Sequence, residues 1–130
     1  MGSHVDSERY SALKVLCRYW GLWQEYLEYV LRKISPEEFD RDPAVADEAF
    51  NLLGEYLSEH ANRNAWRSLV SVYDFALTAA NEGLAKEAYS SMYVGLFGTK
   101  ETLRRRVRKE YRENDPETLA AARSKAGLTN

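Results

Sequence analysis

The side chains that most often carry catalysis are scarce. The 130-residue chain has two histidines, His4 and His60, and one cysteine, Cys17. His4 belongs to Met1-Gly2-Ser3-His4, which reads as a cloning remnant and is set aside. One remaining histidine and one cysteine cannot supply a Cys/His or His-rich metal site at any standard spacing, so no metal and no cofactor is expected. The lone Cys17 forbids an internal disulfide, and its place beside an apolar seam reads as a buried, inert thiol. Carboxylates are numerous, but almost all fall where helix surfaces and first turns favour them. Glu48 and Glu55 are seven apart on one helix face, and the sequence pattern points to no basic or apolar pocket for either. No nucleophile elbow, H-E-x-x-H or dinucleotide fingerprint is present. The chain therefore reads as non-catalytic.

Gly95-Leu96-Phe97-Gly98-Thr99-Lys100 invites two comparisons. A phosphate-binding P-loop needs four residues between its glycines and a lysine directly after the second. Here two intervene and Thr99 precedes Lys100, so the match fails. The spelling G-x-x-G also occurs in KH modules, where it clamps nucleic-acid backbone. KH modules flank it with strands, whereas these flanks read as helical and the central pair is apolar. A helix–helix corner is the simpler reading.

The elements that must position any site are helices. The longest spans Ser7–Ile34, where Leu13, Leu16, Trp20, Trp23, Leu27, Val30 and Ile34 recur at spacings of three and four. About 28 residues at about 1.5 Å each give a rod about 42 Å long. Beside the seam lies a second stripe, Tyr19, Leu22, Tyr26 and Tyr29. The seam, with its two tryptophans, is expected to face the core. The tyrosine side packs on a second neighbour or is left for a partner.

Ser35-Pro36-Glu37-Glu38 opens a short turn with a capping box. Asp42-Pro43 opens a helix to about His60, with Ala46, Ala49, Phe50, Leu53, Tyr56 and Leu57 inward. Asn64 is a candidate cap for a helix from about Ala65 to Ala80. Trp66, Leu69, Val70, Tyr73, Ala76 and Leu77 form its inward face. Val72, Phe75 and Ala79 make it apolar most of the way round, so it is expected to be central, with Gly83 as its left-handed stop. Leu84–Leu96 follows, with Ala85, Ala88, Tyr89, Met92 and Leu96 inward. Thr99 caps a basic helix reaching Glu113, with Leu103, Val107 and Tyr111 on one face. Asp115-Pro116-Glu117 starts a last short helix, which Gly127 stops.

No segment alternates with period two, so no sheet is predicted. The expectation is one all-α bundle of five to seven helices, mostly antiparallel and organised on the long N-terminal helix. Residues 1–6 are a remnant or disordered start, 7–126 a single helical domain and 127–130 a frayed tail. No apolar run is long enough to span a membrane and no signal peptide is seen. With the unpaired Cys17, this favours a cytoplasmic protein.

Charge is unevenly placed. From Pro36 to His60 there are eight acids against Arg41, a local charge of −7. From Lys100 to Arg112 there are seven bases against Glu101 and Glu110, a local charge of +5. The poles either neutralise each other within the fold or serve partners. An acidic face suits a basic protein partner, through Asp47, Glu48, Glu55 and Glu59, with Tyr56, Trp66, Tyr19 and Tyr26 as aromatic anchors. The alternative is a nucleic-acid-binding module using Arg104, Arg105, Arg108, Lys109 and Arg112. That helix lacks interleaved aromatics and a helix-turn-helix companion, and the whole chain is at −2, so nucleic-acid binding is not expected. A third reading is a self-associating adaptor using the tyrosine stripe, so the chain is expected to be a monomer or a weak homodimer.

Three stretches carry a resemblance: Ala46–Leu57 (ADEAFNLLGEYL), Val70–Gly83 (VSVYDFALTAANEG) and Glu87–Gly98 (EAYSSMYVGLFG), followed by a charged helix. Val45–Glu113 resembles the small all-helical bacterial immunity proteins encoded beside polymorphic or contact-dependent toxins. The chain departs from that pattern in Gly98-Thr99-Lys100 and in its very basic final helix. The resemblance implies a cytoplasmic binding protein that blocks a cognate toxin and has no catalysis of its own.

Overall fold

A computed structural model of the chain describes residues 23–128, except the side chains of residues 24–26. Leu13–Trp20 of the seam, Cys17, Tyr19, the Tyr26 side chain and the last two residues thus lie outside the described residues. Within them the chain is an all-α bundle of seven helices. These are α1 Trp23–Lys33, α2 Pro36–Arg41, α3 Pro43–Glu59, α4 Arg63–Thr78, α5 Glu82–Phe97, α6 Thr99–Val107 and α7 Pro116–Lys125.

Helix starts follow local rules. Ser35, Asp42, Asn81 and Asp115 each accept a hydrogen bond from the backbone N–H three residues on, which satisfies a first-turn donor. For α4 the cap is Asn62, not Asn64; its Oδ1 accepts from the Ala65 N–H at 3.0 Å. Three helix ends share one geometry. Ala80, Lys109 and Gly127 have φ of 54°, 60° and 73°. The N–H after each reaches back to Ala76, Arg105 and Arg123, the six-to-one bond of a Schellman end. Gly83 is therefore not the stop of α4. It lies in the first turn of α5, because Asn81 is needed as the next cap and the reversal must precede it. Lys109 likewise ends α6 at Val107, well before Glu113.

The core is centred on α5, which is sandwiched between α3 and α4. Ser91 Oγ donates to the Phe50 carbonyl at 2.7 Å, Gly54 faces Ser91 and Val94, and Gly95 faces Leu57 and Trp66. Numbers rise together on both helices, so α3 and α5 run parallel. The expectation of mostly antiparallel neighbours misses this dominant pairing, which arises because α4 carries the chain back. The close approach requires glycine. A Cβ at Gly95 would lie 2.8 Å from the Trp66 ring, and one at Gly54 3.0 Å from the Ser91 carbonyl oxygen.

The inward faces expected for α1 and α3 are buried at Trp23, Val30, Ile34, Ala46, Ala49, Phe50, Leu53, Tyr56 and Leu57. Leu27 is half-buried. Leu52 and Val45, not expected inward, are buried too, because α3 also has α1 and α2 against it. The reading of α4 as central is overturned. Phe75 and Leu77 are 51% and 52% exposed, since among the described helices α4 packs chiefly on α5 and on the short α7. α7 is tied to α4 by the two-nitrogen pairing of Arg123 with Asp74, at 2.6 and 3.1 Å, and by Arg67 Nε donating to the Ala126 carbonyl at 2.8 Å.

Candidate functional site

Two features stand out, and they lie on opposite sides of the same helix, α6. Its inner side is seated by polar and aromatic contacts. Thr102 is its one buried residue. The Arg105 guanidinium stacks 4.1 Å from the Phe97 ring centre and donates to Tyr93 Oη at 2.9 Å. Arg106 lies 4.5 Å over the Tyr111 ring and donates to Ser90 Oγ at 2.7 Å. Cation–π stacking and charge-assisted hydrogen bonds replace the apolar packing that α6 lacks.

Behind Arg106 is a cleft of about 400 Å³ lined by Asp47, Asn51, Lys86, Glu87, Ser90, Arg106, Tyr111 and Glu113. Glu87 hydrogen-bonds Asp47 there. Burial, the Asp47 hydrogen bond and the Asp47 charge push the Glu87 carboxyl up to about 8, against the pull of Arg106 and Lys86. Glu87 is thus largely protonated at neutral pH, and its neutral carboxyl can donate the hydrogen bond to Asp47. Burial also raises the Tyr111 hydroxyl. This pair is forty residues apart in the chain, and no sequence spacing signals it. Among the described residues no group of three or more His, Cys, Asp or Glu is placed to hold a metal ion.

The outer side of α6 is bare. Leu103, Val107 and Tyr111, read from their spacing as one face, do not share a fate: Leu103 and Val107 are 58% and 81% exposed, and Tyr111 turns in, half-buried against the core. At about 100° per residue, Thr102, Arg105 and Arg106 occupy the bundle side. Lys100, Leu103, Arg104, Val107 and Arg108 then share the opposite face, and all five are exposed. A signal was present in the sequence: a two-residue apolar stripe set among arginines is too small to seat a helix.

The acidic residues form no single open face. Asp47 is turned to Glu87, Asp42 caps α3, and Glu38 pairs with Lys33 at 3.6 Å and with Arg41. Glu48 and Glu55 are half-buried, and Glu59 is exposed at the end of α3. Trp66 is 2% exposed, a core residue and not a surface anchor. Tyr56 is buried as well, stacked on His60 with ring centres 4.6 Å apart. Tyr19 and the Tyr26 side chain fall outside the described residues. The basic residues divide. Arg105 is engaged inward, and Arg104 pairs with Glu101 at 2.9 Å while staying exposed. Arg108 and Lys109 are exposed at the helix end, and the Arg112 carbonyl accepts from the Tyr89 hydroxyl. The two charge poles meet where Arg106 lines the Asp47–Glu87 cleft. No helix among the described residues is long and apolar enough to cross a membrane. Comparison with protein-family models, curated proteins and solved structures finds no match to this chain.

Proposed function

We propose that this protein is a non-catalytic binding domain that neutralises a cognate bacterial toxin in the cytoplasm, docking through the outer face of α6. One observation carries the reading: Leu103 and Val107 stand one turn apart and face solvent on a helix anchored from behind. Burying two such side chains against a partner gains about 1.5–3 kcal/mol each, a useful centre for an interface. Arg104 and Arg108 beside them are residues suited to interface anchoring. The immunity-protein resemblance supplies the class of partner, and the exposed apolar pair moves the expected contact from the acidic helix α3 to the basic helix α6.

The test is co-expression with the C-terminal toxin domain encoded by the adjacent reading frame. Wild-type protein should rescue growth and co-purify with it. Leu103→Ser with Val107→Ser should abolish both while leaving the melting temperature unchanged. Full rescue by that variant would rule out α6 as the docking face.

A further inference from the structure

Resting on the docking reading above, we infer that the outer face of α6 is built for a partner protein with an acidic-rimmed apolar groove, and not for nucleic acid or membrane. The face has two lanes. Around the helix axis, Leu103 and Val107 lie on one side, Arg104 and Arg108 on the other, and Lys100 between them, all within about 140° at 3.6 residues per turn. No acid lies within that arc, although Glu101 beside it pairs with Arg104 and Arg105 at 2.9 and 3.2 Å. Of the other cations of this stretch, Arg105 rests on Phe97 and Tyr93 and Arg106 on Tyr111 and Ser90, while Lys109 and Arg112 are exposed beyond the end of the helix.

Charge complementarity and the apolar lane together select the occupant. A phosphate backbone would engage the basic lane and leave Leu103 and Val107 in water, because phosphates reward cations and hydrogen-bond donors and not apolar side chains. A membrane surface would need a longer apolar face than two side chains on a nine-residue helix. A groove with an apolar floor and carboxylates along one rim satisfies both lanes, as amphipathic helices do in helix-in-groove recognition. A second copy of this chain is a poorer fit: Glu38, Asp42 and Asp47 of its acidic region are engaged within their own fold, and its exposed Glu37, Asp40 and Glu59 have no exposed large apolar side chain with them between Pro36 and His60.

The experiment titrates isotope-labelled full-length protein and follows backbone amide shifts at about 0.15 M salt. The probes are a synthetic acidic amphipathic peptide of about 20 residues with leucines at i and i+4, a duplex oligonucleotide, a single-stranded RNA and phosphatidylserine vesicles. The peptide should perturb residues 100–108. Its affinity should fall about tenfold or more with Arg104→Glu and Arg108→Glu, and by a similar factor with Leu103→Ser and Val107→Ser. Tighter binding by either nucleic acid, indifferent to the Leu103 and Val107 changes, would overturn the inference, as would tighter binding by vesicles. If the peptide leaves α6 unperturbed while Leu103→Ser with Val107→Ser still abolishes toxin capture, the acidic-groove inference falls and the docking reading stands. If both fail, α6 is not the interface.

Discussion

Glu87 of α5 and Asp47 of α3 meet across the parallel helix pair in a half-buried cleft, where burial and the Asp47 hydrogen bond and charge push the Glu87 carboxyl up to about 8. Two carboxylates at hydrogen-bond distance cannot both ionise cheaply in a half-buried cleft. Arg106 and Lys86 offset part of the repulsion, and burial outweighs them. The acidic and basic poles of the chain are thus joined through a protonated carboxylic acid.

This pair makes stability depend on pH. The folded pKa of Glu87, about 8, lies above its ordinary 4.5, so the folded state holds the proton more tightly than the unfolded chain does. Its contribution is greatest below pH 4.5, declines as pH rises through the neutral range, and levels off above about 8. Glu87→Gln keeps a donor for Asp47 and removes the ionisation. It should stabilise the protein by about 1 kcal/mol at pH 8, with water in the open cleft limiting the gain. Urea melts at pH 5, 7 and 8.5 should show the wild type losing stability with pH and the variant losing less. Equal slopes would show that the proton is not held there.

The end of α4 gives an oppositely signed test of two neighbouring small residues. Ala80 is in the left-handed region at φ 54°, which costs a residue with a Cβ about 1–2 kcal/mol. Ala80→Gly should therefore raise stability by about 0.5–1 kcal/mol, after the entropy that glycine adds to the unfolded chain is subtracted. Gly83 is in an ordinary helical turn whose nearest obstacle is the far edge of the Phe39 ring at 3.3 Å. Gly83→Ala should be neutral or stabilising by up to about 1 kcal/mol. Had Gly83 been the left-handed stop, the same change would destabilise. Calorimetric melts of both variants decide the matter.

At Gly95 the expectation reverses. A methyl group would press on the Trp66 ring from 2.8 Å and on Leu57 Cβ from 3.1 Å, and Trp66 is too enclosed to yield. Gly95→Ala should cost about 1–3 kcal/mol despite alanine's better helix propensity. A chemical-denaturation midpoint at or above that of wild type would show that α5 and Trp66 are not in such close contact.

The α4–α7 pairing should respond as a partly exposed ion pair. Arg123→Ala and Asp74→Ala should each cost about 1 kcal/mol or less, and the double variant should cost less than the sum of the two. Additive losses in this double-mutant cycle would deny the pairing.

The described helices and the starts of α2, α3 and α7 were legible in the sequence, because capping and amphipathic spacing act over three or four residues; α4, α5 and α6 instead start on Asn62, Asn81 and Gly98, the last with no side-chain cap where Thr99 was expected. Ser35, Asp42 and Asp115 cap as their side chains dictate, and the inward face of α3 follows its period. The C-terminal ends of α4 and α6 were not legible, because Ala80 and Lys109 adopt the left-handed geometry against their own preference, held by hydrogen bonds and the demands of the next element. Which helix is central was also hidden. Apolar content suggested α4, whereas Gly54, Ser91 and Gly95 let α3 and α5 approach closely enough to make α5 the hub. The candidate site lies wholly at that level. Asp47 meets Glu87 only because α3 and α5 run parallel in register, and Leu103 and Val107 face water only because Arg105 and Arg106 find aromatic rings on the bundle side. Local side-chain chemistry decided the elements; tertiary packing decided which of their faces stayed open.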